Sequence, residues 1–168
     1  MKKLAFVLIV GIIFICHSCQ TKTEYPKNDD GSLTWISIDE AAKLKNLDNK
    51  LYFVDVYTSW CKWCKVMDQK TFTDPGVIKF LDDEFHVVKF NAEQTDIVNW
   101  AGTEYIYQPG GRRGIHSLAP KLLNGRLSYP SFAVLDKDRN PLKIIVGYKS
   151  PEQLLRELDG LVAKSVES

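Results

Sequence analysis

An α/β layer closed by a C-terminal hairpin is the fold class this chain predicts, and three observations predict it. Strand-length apolar runs alternate with amphipathic stretches of helical period from residue 33 onward. A Cys-x-x-Cys pair, Cys61 and Cys64, stands where one apolar run gives way to a helical pattern. The last two strand candidates are separated only by a turn, and a helix follows them.

Each element has its own signal. Leu33-Thr34-Trp35-Ile36 is a short strand candidate. Ser37, with Glu40 three residues on, makes a capping box, and Ala41, Ala42, Leu44 and Leu47 continue a first helix. Residues 51–57 are β-branched and aromatic, which predicts a buried strand carrying Asp55. Thr58-Ser59 breaks that pattern, and residues 61–71 set Val66 and Met67 among charged side chains, as a helix does. Asp74-Pro75 reads as an N-cap before a first-turn proline, restarting the helix through Val77, Ile78 and Leu81. Residues 85–90 form a third long strand. Between 93 and 115 there is little periodicity, despite Trp100, Tyr105, Tyr107 and the pair Arg112-Arg113. Ala119-Pro120-Lys121-Leu122-Leu123 is a short helix ended by Asn124-Gly125. Ser131-Phe132-Ala133-Val134-Leu135 and Leu142-Lys143-Ile144-Ile145-Val146 are the hairpin strands. Ser150 caps a final helix whose Leu154, Leu155, Leu158, Leu161 and Val162 form one apolar stripe. This order puts the cysteine pair at the C-terminal edge of the central strand, where open α/β sheets carry their chemistry.

The chain has 168 residues and a formal net charge of +1, and this balance gives no sign of nucleic acid or an acidic substrate as a partner. Met1-Lys2-Lys3 followed by an uncharged run over residues 4–15 predicts a secretory signal, too short for the roughly 20 residues a bilayer crossing takes. Ser18-Cys19 resembles the end of a bacterial lipoprotein signal, which implies lipidation of Cys19 and a membrane anchor, with simple cleavage or an uncleaved anchor as alternatives. Cys16 and His17 depart from that pattern, since an aliphatic and a small residue are expected there. The expected organisation is a signal over 1–18, a polar tether over 19–32 and one domain over 33–168. An exported protein meets a compartment in which disulfides persist. Of four cysteines only Cys61 and Cys64 fall in the domain, and His86 and His116, read as surface or capping residues, are its histidines. That set is too small for a structural zinc site, so no metal is expected and the pair reads as redox-active.

The local chemistry agrees. Free N–H groups and the positive end of the helix dipole stabilise a thiolate at Cys61, and Lys62 and Lys65 add cationic charge. Cys64 stands one turn further in, placed to attack a mixed disulfide on Cys61. A purely structural disulfide across so short a loop would restrain little chain entropy. Asp55 is a carboxylate on a packed face of an apolar strand, where burial raises its pKa. Trp60 and Trp63 would form an apolar collar around Cys61, the alternative for Trp63 being core packing.

Residues 54–64, Val-Asp-Val-Tyr-Thr-Ser-Trp-Cys-Lys-Trp-Cys, resemble the active-site strand and helix of the thioredoxin family. Val88-Lys89-Phe90-Asn91 resembles its third strand, Ala119-Pro120-Lys121 its third helix and Tyr129-Pro130-Ser131 its cis-proline loop. The run from Cys64-Lys65 to Thr73-Asp74-Pro75 is most similar to exported members of the family, which include the C-terminal domain of the bacterial transmembrane thiol:disulfide interchange reductase. The resemblance implies a thioredoxin fold, with a central mixed sheet flanked by helices. It implies that Asp55 exchanges a proton with Cys64, that Lys89 partners Asp55, and that Pro130 is cis. It further implies that the Tyr129 backbone pairs with a substrate chain. Two departures stand out. Lys62-Trp63 replaces the Gly-Pro of thioredoxin itself, so its reducing potential does not carry over. The stretch from Lys89 to Pro130 far exceeds the 10–12 or so residues of a minimal crossover, marking 93–115 as an insertion, either a partner-binding lid or an ordered surface loop.

The expected function is that of an exported, membrane-tethered thiol:disulfide oxidoreductase working on protein disulfides without a cofactor. The resemblance favours the reducing direction, with an unidentified electron donor in the cell envelope or periplasm of a bacterium. The alternative is a non-catalytic binding module that uses the dithiol as a ligand pair for metal or haem delivery. Met67 is the one further soft ligand outside the signal region, which leaves that alternative few donors.

Overall fold

The computed structural model describes residues 28, 30–44 and 49–166, so the expected signal, Cys19, most of the tether and Leu47 lie outside the described residues. In chain order the elements are β1 (Ile36–Ser37), α1 (Ile38–Lys43), β2 (Leu51–Tyr57), α2 (Lys62–Lys70), α3 (Pro75–Glu84) and β3 (Phe85–Asn91). They continue with β4 (Val98–Trp100), β5 (Thr103–Tyr105), β6 (Tyr107–Gln108), β7 (Ile115–His116) and α4 (Leu118–Leu122). The chain then closes with β8 (Ser131–Leu135), β9 (Pro141–Val146) and α5 (Pro151–Val166).

A five-stranded sheet in the order β1-β3-β2-β8-β9 forms the middle layer. Strands β1 and β2 lie parallel to β3, whereas β8 runs antiparallel to both β2 and β9. Alternation along β2 divides its side chains between two cores. Tyr52, Val54 and Val56 face a cluster completed by Ile38 and Ala41 of α1 and Leu118 of α4. Leu51 and Phe53 face the opposite cluster, with Met67 of α2, Val77 and Leu81 of α3, and Leu154 and Leu158 of α5. Asp55 has the parity of Phe53, so the pleat points it toward the α2 side.

Caps fix the helix ends. Ser37 and Glu40 form the expected capping box, and the Asp74 carboxylate accepts from the N–H groups of Gly76 and Val77 at the start of α3. Ser150 and Gln153 exchange the same reciprocal bonds at α5. At the C-terminal end of α1 no glycine is needed. The Arg139 guanidinium, reaching across from the β8–β9 turn, donates to the carbonyls of Ala41, Ala42 and Leu44 at 3.0, 3.0 and 2.9 Å. It also lies over the Trp100 and Tyr52 rings.

Three expectations are corrected. The first strand is shorter than 33–36, because only Ile36 and Ser37 pair with β3, and Leu33 is buried without joining the sheet. The segment 93–115 is not a plain surface loop. Its β4–β5 hairpin inserts Val98 and Trp100 into the α1-side core, and β6 pairs with β7. Periodicity is weak there because these strands are two or three residues long. The two histidines are not surface residues: both are buried, and His116, one residue before the Ser117 N-cap of α4, accepts from the Leu118 N–H through Nδ1 at 3.3 Å. The His116 ring also meets the Asp96 carbonyl through Nε2, and burial pushes its pKa down.

Trp100→Ala is expected to lower unfolding free energy by about 3–5 kcal/mol in urea titrations, the range for deleting a buried aromatic. A side chain on a surface loop would cost roughly 0.5 kcal/mol or less.

Candidate active site

Strand β2 ends at Tyr57, the chain turns through residues 58–60, and Cys61 becomes the N-cap of α2. The turn is closed by the Cys61 N–H donating to the Thr58 carbonyl at 3.1 Å. Cys61 and Cys64 are joined as a disulfide with Cα atoms 5.3 Å apart. The Cys64 N–H donates to Cys61 Sγ at 3.1 Å, so this sulfur occupies the position a serine or aspartate oxygen takes at an ordinary N-cap. The same N–H and the helix dipole stabilise negative charge on that sulfur once the bond is opened. Lys62 and Lys65 are exposed on the first turns of α2. Both cysteines are buried, Cys61 at 4 % and Cys64 at 3 % exposure, so burial alone does not set one apart as the entry point. Position at the N-cap does.

Between β2, β3 and α2 lies a charged cluster that the fold assembles from three elements. Asp55 and Lys89 are register partners on adjacent parallel strands, and Lys89 Nζ is 2.7 Å from Asp55 Oδ2. The same ammonium reaches Asp68 Oδ1 of α2 at 2.5 Å, under the rings of Trp35, Tyr57 and Phe72. Asp55 is 1 % exposed, and its Oδ1 has no hydrogen-bond partner among the described residues. Burial pushes the Asp55 pKa up to about 6, with attraction to Lys89 offsetting only part of the cost. Burial also opposes charge on Lys89, but Asp55 and Asp68 outweigh it and hold its pKa above the ordinary value.

Around the mouth, Trp60 and Trp63 are 53 % and 56 % exposed, which corrects core packing as the alternative for Trp63. The Trp60 ring meets Tyr129 edge-on at 6.0 Å, and Trp63 tilts against Tyr148 at 5.5 Å. The Tyr129-Pro130 peptide is cis. Trp60 is held from below: its Nε1–H donates to Glu93 Oε1 at 2.9 Å, and Ser59 Oγ donates to Glu93 Oε2 at 3.2 Å. Burial alone would raise the Glu93 pKa, yet those hydrogen bonds and nearby Arg113 keep it below the usual value.

Thus the predicted residues Asp55, Lys89, Cys61 and Cys64 gather on one side of β2, with Trp60, Trp63, Tyr129 and Pro130 toward the mouth. Sequence reasoning missed Asp68, Glu93 and Arg113 as parts of the site. Asp68 follows Cys64 by one helical turn, a spacing that puts both on one face of α2. Glu93 and Arg113 carried no such signal. Among the described residues no group of three or more His, Cys, Asp or Glu side chains is arranged to hold a metal ion.

A thioredoxin fold with a Cys-x-x-Cys disulfide heading the helix after its central strand defines the class, a thioredoxin-like disulfide-oxidoreductase fold. The family model Thioredox_DsbH, described as a protein of unknown function, DUF255, matches residues 10–110, and the chain belongs to this family. Solved structures agree on the fold. A thioredoxin from Thermus thermophilus is 20% identical with a TM-score of 0.60, covering 80% of this chain and 90% of its own. The oxidoreductase DsbH is 15% identical with a TM-score of 0.55 over 83% of this chain and 92% of its own. A proposed disulphide isomerase from Bacteroides thetaiotaomicron is 23% identical with a TM-score of 0.54, over 77% and 92%. The uncharacterized protein B0495.5 of Caenorhabditis elegans is 29% identical over 75 residues, which are 45% of this chain. The chain spans about 10% of that curated relative's length.

The raised Asp55 pKa makes stability depend on pH with a definite sign. The folded state holds this proton up to about pH 6, whereas the unfolded chain releases it near 3.8, so stability is lost as pH rises between those values. Each pKa unit of the gap is worth about 1.4 kcal/mol. The oxidised protein is expected to be more stable to urea at pH 4 than at pH 6.5 in this respect, and Asp55→Asn should flatten that slope.

Proposed function

We propose that this protein is an exported, membrane-tethered thiol:disulfide oxidoreductase that reduces disulfides in protein clients. The observation that carries the reading is the placing of Cys61 as the N-cap of α2, with Cys64 bonded to it and a buried acid behind. The lipidated Cys19 anchor and the polar tether belong to the proposal on the strength of the N-terminal sequence alone.

In the reduced enzyme the Cys61 thiolate attacks one sulfur of the client disulfide. A mixed disulfide forms and the client's other sulfur leaves as a thiolate. Cys64 then attacks Cys61 Sγ, expels the second client sulfur and regenerates the Cys61–Cys64 disulfide. Two electrons pass from the dithiol to the client, and a dithiol donor returns them in a later exchange. For the second attack Cys64 must lose its proton, and Asp55, poised near pH 6 with Oδ1 free, accepts it. Lys89 orients that carboxylate through Oδ2. The client backbone lies along Tyr129 and Pro130, and its apolar side chains rest on Trp60 and Trp63.

Insulin reduction with dithiothreitol as donor is expected to vanish in Cys61→Ser. Cys64→Ala should instead accumulate a mixed disulfide on Cys61, seen by mass spectrometry and reversed by added thiol. If Cys61→Ser keeps wild-type turnover, the reading is wrong. Asp55→Asn is expected to slow resolution of the mixed disulfide most strongly above pH 6, where the wild-type carboxylate is ionised and can take the proton.

A further inference from the structure

The pair Arg112-Arg113 has no part in the chemistry above, yet the fold brings Arg113 to Trp60, the residue before Cys61. Its guanidinium carbon lies 5.7 Å from the centre of the Trp60 ring, and Trp60 directly precedes Cys61. Its Nη1 stands 3.6 Å from Glu93 Oε1, beyond hydrogen-bond reach. Glu93 is already engaged by Trp60 and Ser59 and is 17 % exposed, whereas Arg113 is 59 % exposed. The guanidinium fork therefore keeps donors facing solvent. On the α2 side Lys62 and Lys65 are exposed as well. Asp68 shares Lys89 with Asp55, and Glu93, hydrogen-bonded to the Trp60 indole, also faces Arg113 as a long ion pair. The side chains that keep hydrogen-bond donors open to solvent here, Arg113 beside Trp60 and Lys62 and Lys65 on α2, are all cationic.

We propose that Arg113, with Lys62 and Lys65, reads carboxylates, so that the preferred clients are protein segments whose disulfide is flanked by acidic side chains. This rests on the thiol-exchange reading above and adds the chemical class of its substrate. An Arg fork over an aromatic ring is suited to bidentate contact with a carboxylate, and the lysines act as point charges. The inserted segment thereby contributes to client choice as well as to the core.

The test uses three small disulfides of different charge, with dithiothreitol as donor: dithiodiglycolate, bis(2-hydroxyethyl) disulfide and cystamine. Rates are divided by those of dithiothreitol alone. The wild type is expected to favour the anion over the cation, and Arg113→Gln to reduce that ratio by about two- to fivefold, the scale of one exposed charge. Arg113→Lys should restore most of it. At 1 M salt, where the Debye length is about 3 Å, the preference should collapse. A second readout does not need exchange: the ratio of iodoacetate to iodoacetamide alkylation rates at reduced Cys61 should fall in Arg113→Gln. If both ratios are unchanged by Arg113→Gln, the proposal is overturned. Failure to turn over even the neutral disulfide would instead sink the exchange reading, and the alkylation ratio would still decide the charge of the rim.

Discussion

Pairing on both edges of β2 is the constraint from which the site follows. All seven residues pair with parallel β3 and five of them, Tyr52 to Val56, also with antiparallel β8, with helices packed over both faces. A strand so enclosed admits a carboxylate only if a partner compensates it, because an unpaired buried charge costs several kcal/mol. The parallel register supplies that partner directly by setting Lys89 beside Asp55. The same strand ends at the turn that delivers Cys61 to the head of α2. Acid and sulfur are thus positioned by the strand and by the hydrogen-bonded turn that follows it.

The ion cluster is not a plain stabilising bridge. Lys89 divides its donors between a buried acid and a half-exposed one, under three aromatic rings that shield it from water. Burial raises the Asp55 pKa to about 6, and Lys89, shared with Asp68, offsets only part of that rise. A general base needs that condition. The arrangement gives up stability at neutral pH for a proton acceptor beside the redox pair, a trade expected where function and packing compete.

Much of this was legible in the sequence. The long strands, the two halves of the cysteine-bearing helical region and α5 announce themselves through composition, caps and period. The buried role of Asp55 follows from its place in an apolar strand. Lys89, Tyr129 and Pro130 were legible only through the family resemblance, since nothing local separates Lys89 from a surface lysine. The inserted segment resisted reading for a physical reason. Strands of two or three residues show no period, and Trp100 gains its burial from α1 and Arg139, which are distant in sequence. Glu93 and Arg113 meet Trp60 only through tertiary folding, so no spacing rule could find them. Nothing local marked His116 as buried; its ring packs on Phe90 and meets the Asp96 carbonyl of the inserted segment.

The tie between Trp60 and Glu93 has a further consequence. An indole at a protein surface ordinarily samples several rotamers, and ordering it on association costs about 0.5–1.5 kcal/mol. Here the ring nitrogen is anchored and one edge rests on Tyr129, while half of the side chain stays open to water. The apolar plane is held in its orientation before any visitor arrives, so contact with it forfeits little freedom.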